Sequence, residues 1–134
     1  MRKLVFLLLC TLLLATSMPE PTAHFHLRPG KDYALLIAVN NYQNSKLLDF
    51  ANPQGNPKKD AQEIEQLLKD QYGFSTERLL DPTAAEITAK LEQYERDFRS
   101  GTKDPNGQLF LFFSGHGERE HSNGFFLAAD SDPS

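Results

Sequence analysis

Cysteine is almost missing from these 134 residues: Cys10 is the only one, and it stands inside an apolar run near the amino terminus. A single cysteine forms no internal disulfide and offers no thiolate set for a metal. If the leading segment is removed, no cysteine nucleophile remains either. Positive charge is also scarce. Lys and Arg number 14 against 18 Asp and Glu, a net charge of −4, and no basic stripe relieves it. Such a balance excludes nucleic acid as a partner, because phosphate must be neutralised by clustered cations. No apolar run reaches the roughly 20 residues that cross a bilayer, so no stable membrane anchor is expected. Internal repeats and low-complexity tracts are absent. So is any anion-binding loop after the first strand, which argues against a flavodoxin-like binding domain.

What stands at the amino terminus is a processing signal. Arg2 and Lys3 precede the run Leu4 to Ala15, and Ala15-Thr16-Ser17 supplies small residues for cleavage. This pattern predicts a secretory signal peptide over residues 1–17, and hence a secreted or periplasmic product. Its removal takes away two positive charges and no negative one, which leaves the remainder more acidic. Residues 18–31 read as a polar leader containing His24-Phe25-His26. Two histidines one apart can share a metal when they lie on a strand, but in a leader they read as solvated side chains. No metal site and no cofactor is expected. Residues 32–134 suffice for one modest core and hence one domain.

The domain begins with Tyr33 to Val39, apolar without alternation, which predicts a strand covered on both faces. Asn56-Pro57 opens a helix as N-cap and first helical residue, and Gly73 closes it. Ala61, Ile64, Leu67, Leu68 and Tyr72 are its expected buried stripe. Ser75 to Leu80 is a short strand that Asp81-Pro82 breaks. Thr83 and Glu86 form a capping box for a second helix, with Ile87, Leu91, Tyr94 and Phe98 as its apolar stripe. Leu109 to Phe113, between Asn106-Gly107 and Gly115, predicts a central strand buried on both faces. Glu118 to Asn123 reads as a charged loop. Gly124 to Ala129 reads as a further short strand, a hairpin partner or an edge. The order β-α-β-α-β predicts an α/β fold with a mostly parallel sheet and right-handed crossovers.

Chemistry is expected where the strand from Leu109 ends in Ser114-Gly115-His116-Gly117. The carboxyl edge of a parallel sheet is where ligands bind. An imidazole there, between glycines that leave room for substrate, can act as a general base. The Gly117 amide can hold a developing oxyanion. Ser114 as a nucleophile lacks the strand-to-helix turn of a nucleophile elbow. Asp60, in the first turn of the first helix, has a plain reading as a carboxylate favoured by the helix dipole. Lys58 and Lys59 read as solvated, and His116 with His121 offers no third metal ligand.

Four stretches together resemble the caspase-like cysteine peptidases, in their metacaspase and bacterial branch. They are Tyr33–Tyr42 (YALLIAVNNY), Lys58–Ile64 (KKDAQEI), Gln71–Phe74 (QYGF) and Leu111–Gly117 (LFFSGHG). The resemblance implies a three-layer caspase-like fold and a Cys–His dyad that cuts peptide or protein substrates. His116 matches the dyad histidine and Gly117 the oxyanion amide. Asp60 matches an acidic residue that helps receive a basic P1 side chain, although Lys59 stands where that motif carries asparagine. No arginine between Tyr42 and Asp60 matches the pair that grips aspartate in caspases proper. The family's nucleophile lies in an Asp-x-Cys motif on the strand after the histidine strand. The chain is therefore expected to be the amino-terminal portion of such a domain, truncated after the histidine strand and inactive alone. Its partner would be the missing carboxyl-terminal half. The alternative is a non-catalytic caspase-like binding module or pseudoenzyme.

Overall fold

The computed structural model describes residues 29–44, 46–47 and 55–132. The expected signal peptide, Cys10, His24 and His26 lie outside the described residues. Five strands and two helices follow in the order β1 (Tyr33–Ala38), α1 (Pro57–Tyr72), β2 (Ser75–Leu80), α2 (Ala84–Ser100), β3 (Leu109–Ser114), β4 (Gly117–Glu120) and β5 (Asn123–Phe126).

The first three strands form a parallel sheet in the order β2-β1-β3. Its centre is β1, whose six residues are all buried. Period-two alternation sends its side chains to two separate cores. Ala34, Leu36 and Ala38 pack with Ala61 and Leu68 of α1. Tyr33, Leu35 and Ile37 pack with Tyr94 of α2, against Ile87 and Phe98. The helices therefore cover opposite faces, and the chain makes a three-layer α/β fold. The first crossover runs from β1 to β2 and the second returns from β2 past β1 to β3 on the opposite face, which keeps both of the same hand.

Helix ends form as their residues dictate. The Asn56 side chain accepts the Lys59 amide at 3.2 Å, Pro57 takes the first helical position, and Gly73 ends α1 at φ 69°. Thr83 and Glu86 complete a reciprocal capping box on α2.

Three expectations are corrected. First, the strand placed at the centre from its apolar run is an edge strand among the described residues. β3 pairs only with β1 there, and Phe110 and Leu111 are 40% and 50% exposed. Only β1, flanked by β2 and β3, is enclosed on every side. Second, Leu67, Tyr72 and Leu91 are exposed. Leu67 sits one helical step, about 100°, from buried Leu68, and Tyr72 is the last residue of α1. Third, Glu118 to Asn123 is no loop. β4 and β5 form an antiparallel ribbon, with Glu120 opposite Asn123. His121 turns it at φ 54°, the positive backbone angle that two-residue hairpins need. The short strand read over Gly124–Ala129 is present as β5, the hairpin partner, and ends at Phe126, whereas β4 is charged and largely exposed and left no periodic signal.

After β5 the chain dives inward. Leu127 and Ala129 join Val39 and Tyr42 in a third apolar cluster over the carboxyl end of β1, with Phe113 against it. The Ala129 amide donates to the Pro82 carbonyl at 2.9 Å, and the Gln43 amide donates to the Ala129 carbonyl at 2.8 Å. Residues 127–129 thus lace together the segments that follow β1 and β2.

Candidate active site

Because α1 departs from β1 on one face and α2 arrives at β3 from the other, a crevice opens where these neighbouring strands end. Two short segments meet there, Asn40-Asn41-Tyr42 after β1 and Ser114-Gly115-His116-Gly117 at the end of β3. The Val39 amide donates to the Ser114 carbonyl at 2.9 Å and carries the pairing one step past β1.

His116 is partly buried and its backbone is clamped on both sides. Its amide donates to the Tyr42 hydroxyl at 2.7 Å. Its carbonyl accepts the Leu127 amide at 3.0 Å. The Tyr42 ring lies against the imidazole, with centroids 4.9 Å apart and planes tilted by 44°. Burial raises the pKa of the Tyr42 hydroxyl above its ordinary 10.0. The His116 amide works against that rise, and the nearby Asp81 carboxylate adds to it. The hydroxyl therefore stays protonated at neutral pH.

Gly115 and Gly117 are small for different reasons. A Cβ on Gly115 would stand 2.8 Å from the Tyr42 hydroxyl and 3.1 Å from the Phe113 ring. A Cβ on Gly117 would meet only the Phe125 carbonyl, at 3.3 Å. Register says more about Gly117. The bond from Leu127 to His116 makes that pair a hydrogen-bonded one, and such pairs alternate along an antiparallel ribbon. Gly117, opposite Phe126, is then a non-hydrogen-bonded position. Its N–H points away from β5, toward any group beside His116.

Asp60 lies in the first turn of α1 and accepts the Ser114 hydroxyl at 3.2 Å. That contact occupies Ser114 and brings Asp60 to the segment that bears His116. Asp60, Glu63, Ile64 and Phe112 line an open recess of about 370 Å³. Its two carboxylates over an apolar floor suit a cation on an aliphatic stem.

Asp81, which the sequence offered only as a strand breaker, organises the near side of the crevice. It sits at φ 51°. One oxygen accepts the amides of Asn40 and Asn41 at 2.7 and 3.1 Å, and the other accepts the Asn41 side chain at 2.7 Å and the Lys58 ammonium. Burial raises its pKa, but the bonds from Lys58, Asn40 and Asn41 outweigh that and hold it below its ordinary 3.8. Asn40 extends the network, donating to the Asn56 side chain at 3.0 Å and accepting the Lys58 amide at 2.9 Å. Lys58 is thus an ion-pair partner, whereas sequence alone read it as solvated. Tyr42, Asn40 and Asp81 were missed as site residues. The one signal available was their place just after successive parallel strands.

His121 lies in the turn of the ribbon, and no cluster of three or more metal-ligating side chains exists among the described residues. Nor, among them, is any helix long and apolar enough to cross a membrane.

The three-layer α/β domain thus sets a histidine and an outward-facing glycine amide side by side at the carboxyl end of a parallel strand. The chain matches the caspase domain family over residues 31–133 and belongs to that family. Caspase domains are cysteine peptidase domains that act on protein substrates. No curated protein and no solved structure matches the chain.

Proposed function

We propose that these residues form the histidine-bearing part of a secreted cysteine endopeptidase domain of the metacaspase kind. The observation that carries the reading is the double clamp on the His116 backbone beside the outward N–H of Gly117. A thiol brought to this crevice would lose its proton to the His116 imidazole, and the thiolate would attack the scissile carbonyl carbon. The Gly117 N–H would hold the resulting oxyanion. The imidazolium would protonate the leaving amine, and His116 would then activate water to release the acyl group. Asp60, with Glu63 beside it, would receive an Arg or Lys side chain at P1.

Cys10 lies within the proposed export signal and residues 18–134 hold no cysteine, so the thiol is assigned to a strand supplied from outside them. The outer edge of β3, unpaired among the described residues, supports this, since it leaves a position for one more strand. The test joins residues 18–134 to a carboxyl-terminal caspase-domain half that bears an Asp-x-Cys segment. Hydrolysis of Arg or Lys reporters is expected from the extended product, lost in His116→Ala, with none from residues 18–134 alone. Turnover by the shorter chain, or by the His116→Ala product, overturns the assignment. An extended product that binds peptides without cutting them would make this a binding module. Export is checked separately, by finding Met18 at the amino terminus of the secreted protein.

A further inference from the structure

We propose that Tyr42 is the positioning residue for His116, setting both the backbone and the ring plane of the imidazole through its hydroxyl and its ring. The proposal rests on the reading of His116 as the general base. Three observations meet on this one side chain. The hydroxyl takes the His116 amide at 2.7 Å, the ring packs on the imidazole at 4.9 Å, and the β3 terminus is shaped around the hydroxyl, because a methyl on Gly115 would collide with it at 2.8 Å.

Tyr42 can set a neighbour because it is itself held. It is 9% exposed, within the cluster of Val39, Leu127 and Ala129. Anchors run along the segment around it: Val39 to the Ser114 carbonyl, Asn40 and Asn41 to Asp81, and Gln43 to Ala129. Phenylalanine could fill the same space but would leave the His116 amide without its acceptor. A base displaced by about 1 Å can lose on the order of 100-fold in rate, so fixing this histidine before substrate arrives is the use of such a contact.

The test is amide exchange and histidine ring NMR on the full chain, with Tyr42→Phe, Gly115→Ala and the double variant. In Tyr42→Phe, exchange at the His116 amide is expected to rise about tenfold, the equivalent of one hydrogen bond, while Leu36 in the central strand keeps its protection. The His116 ring resonances should shift. Gly115→Ala should give the same signature by pushing the hydroxyl away. Its effect should shrink in the Tyr42→Phe background, where the hydroxyl it strikes is gone. Unchanged His116 signals in Tyr42→Phe overturn the proposal. So does exchange that rises equally at Leu36, which would mean general loosening. If Tyr42→Phe does not fold, Gly115→Ala decides by the same two signals. These signals report geometry alone, so they hold or fail whether or not His116 is a base. The base assignment fails separately, through turnover in the extended His116→Ala product.

Discussion

Ser114 donates its hydroxyl to Asp60 at 3.2 Å and ties the last residue of β3 to the first turn of α1. The two ends come from strand and helix segments 54 residues apart, and their meeting places a carboxylate two residues from His116. Ser114→Ala removes a partly exposed hydrogen bond and should cost about 0.5–1 kcal/mol in urea unfolding. Asp60→Asn keeps an acceptor and loses the charge. It should change stability by less than about 0.5 kcal/mol. In the extended enzyme it should lower kcat/KM for Arg and Lys reporters by at least tenfold, on the order of 1.4 kcal/mol. Equal kcat/KM in Asp60→Asn would remove Asp60 from substrate recognition.

Asp81 gathers four donors from two segments, so its loss should be felt beyond its own position. Asp81→Ala removes the acceptor from the Asn40 and Asn41 amides, strands the Lys58 ammonium and puts alanine at a positive φ. About 2–3 kcal/mol of stability is expected to go, by chemical denaturation. Asp81→Asn tolerates the backbone angle and keeps one acceptor, so it should cost less than half as much. A loss under about 0.5 kcal/mol in Asp81→Ala would show that the segment after β1 is held by other contacts.

The acid side of the stability profile follows from two carboxylates. Glu65 binds Lys69 at 2.8 Å, Arg78 at 2.7 Å and the Thr76 hydroxyl at 2.7 Å. Burial raises its pKa, but these partners hold it below its ordinary 4.5, as Asp81 is held below 3.8. A carboxyl depressed in the folded state binds fewer protons there than in the unfolded chain. Its stabilisation is complete above the ordinary values and is lost as pH falls through the lower folded ones. Urea midpoints should therefore be level from neutral pH to about 5 and decline below that. Glu65→Gln should flatten part of the decline. A midpoint that rises on acidification would contradict the sign.

Apolar surface is concentrated beside the edge of β3 that is unpaired among the described residues. Leu91, Leu111, Phe113 and Phe126 line a groove of about 360 Å³, and Phe126 is 74% exposed while stacking on Phe113 at 4.5 Å. An unpaired strand edge beside such a patch promotes association. The chain of residues 18–134 should self-associate at micromolar concentration in sedimentation velocity. Leu111→Glu should shift it toward monomer while changing stability by less than about 1 kcal/mol. A wild-type chain that stays monomeric through that range would show the edge to be protected.

The caps and the order of elements were legible before any coordinates. Asn56-Pro57, Gly73 and the Thr83–Glu86 box are local chemistry, decided within four residues, and each stands where the sequence put it. The strand from Tyr33 was legible as doubly covered because it has no polar face to offer. The run Leu109–Phe113 was equally apolar, yet it lies at an edge, because hydrophobicity reports the surroundings a strand needs and says nothing of which neighbours it has. Of the ribbon, Asn123–Phe126 was legible within the short strand read from Gly124 as a hairpin partner, whereas Gly117–Glu120 was not, because it is charged and largely exposed and no alternation marked it.

The βαβαβ order, the two-faced burial of the first strand and the place of His116 at a strand's carboxyl end are all written locally along the chain. These follow from periodicity and turn chemistry, which act over short distances along the chain. Only the tertiary structure decided that Tyr42 holds His116 from 74 residues away, that Asp81 binds Asn40, Asn41 and Lys58, and that Ser114 faces Asp60. Parallel strands bring together residues that follow separate crossovers, and no local pattern records which of those ends will meet.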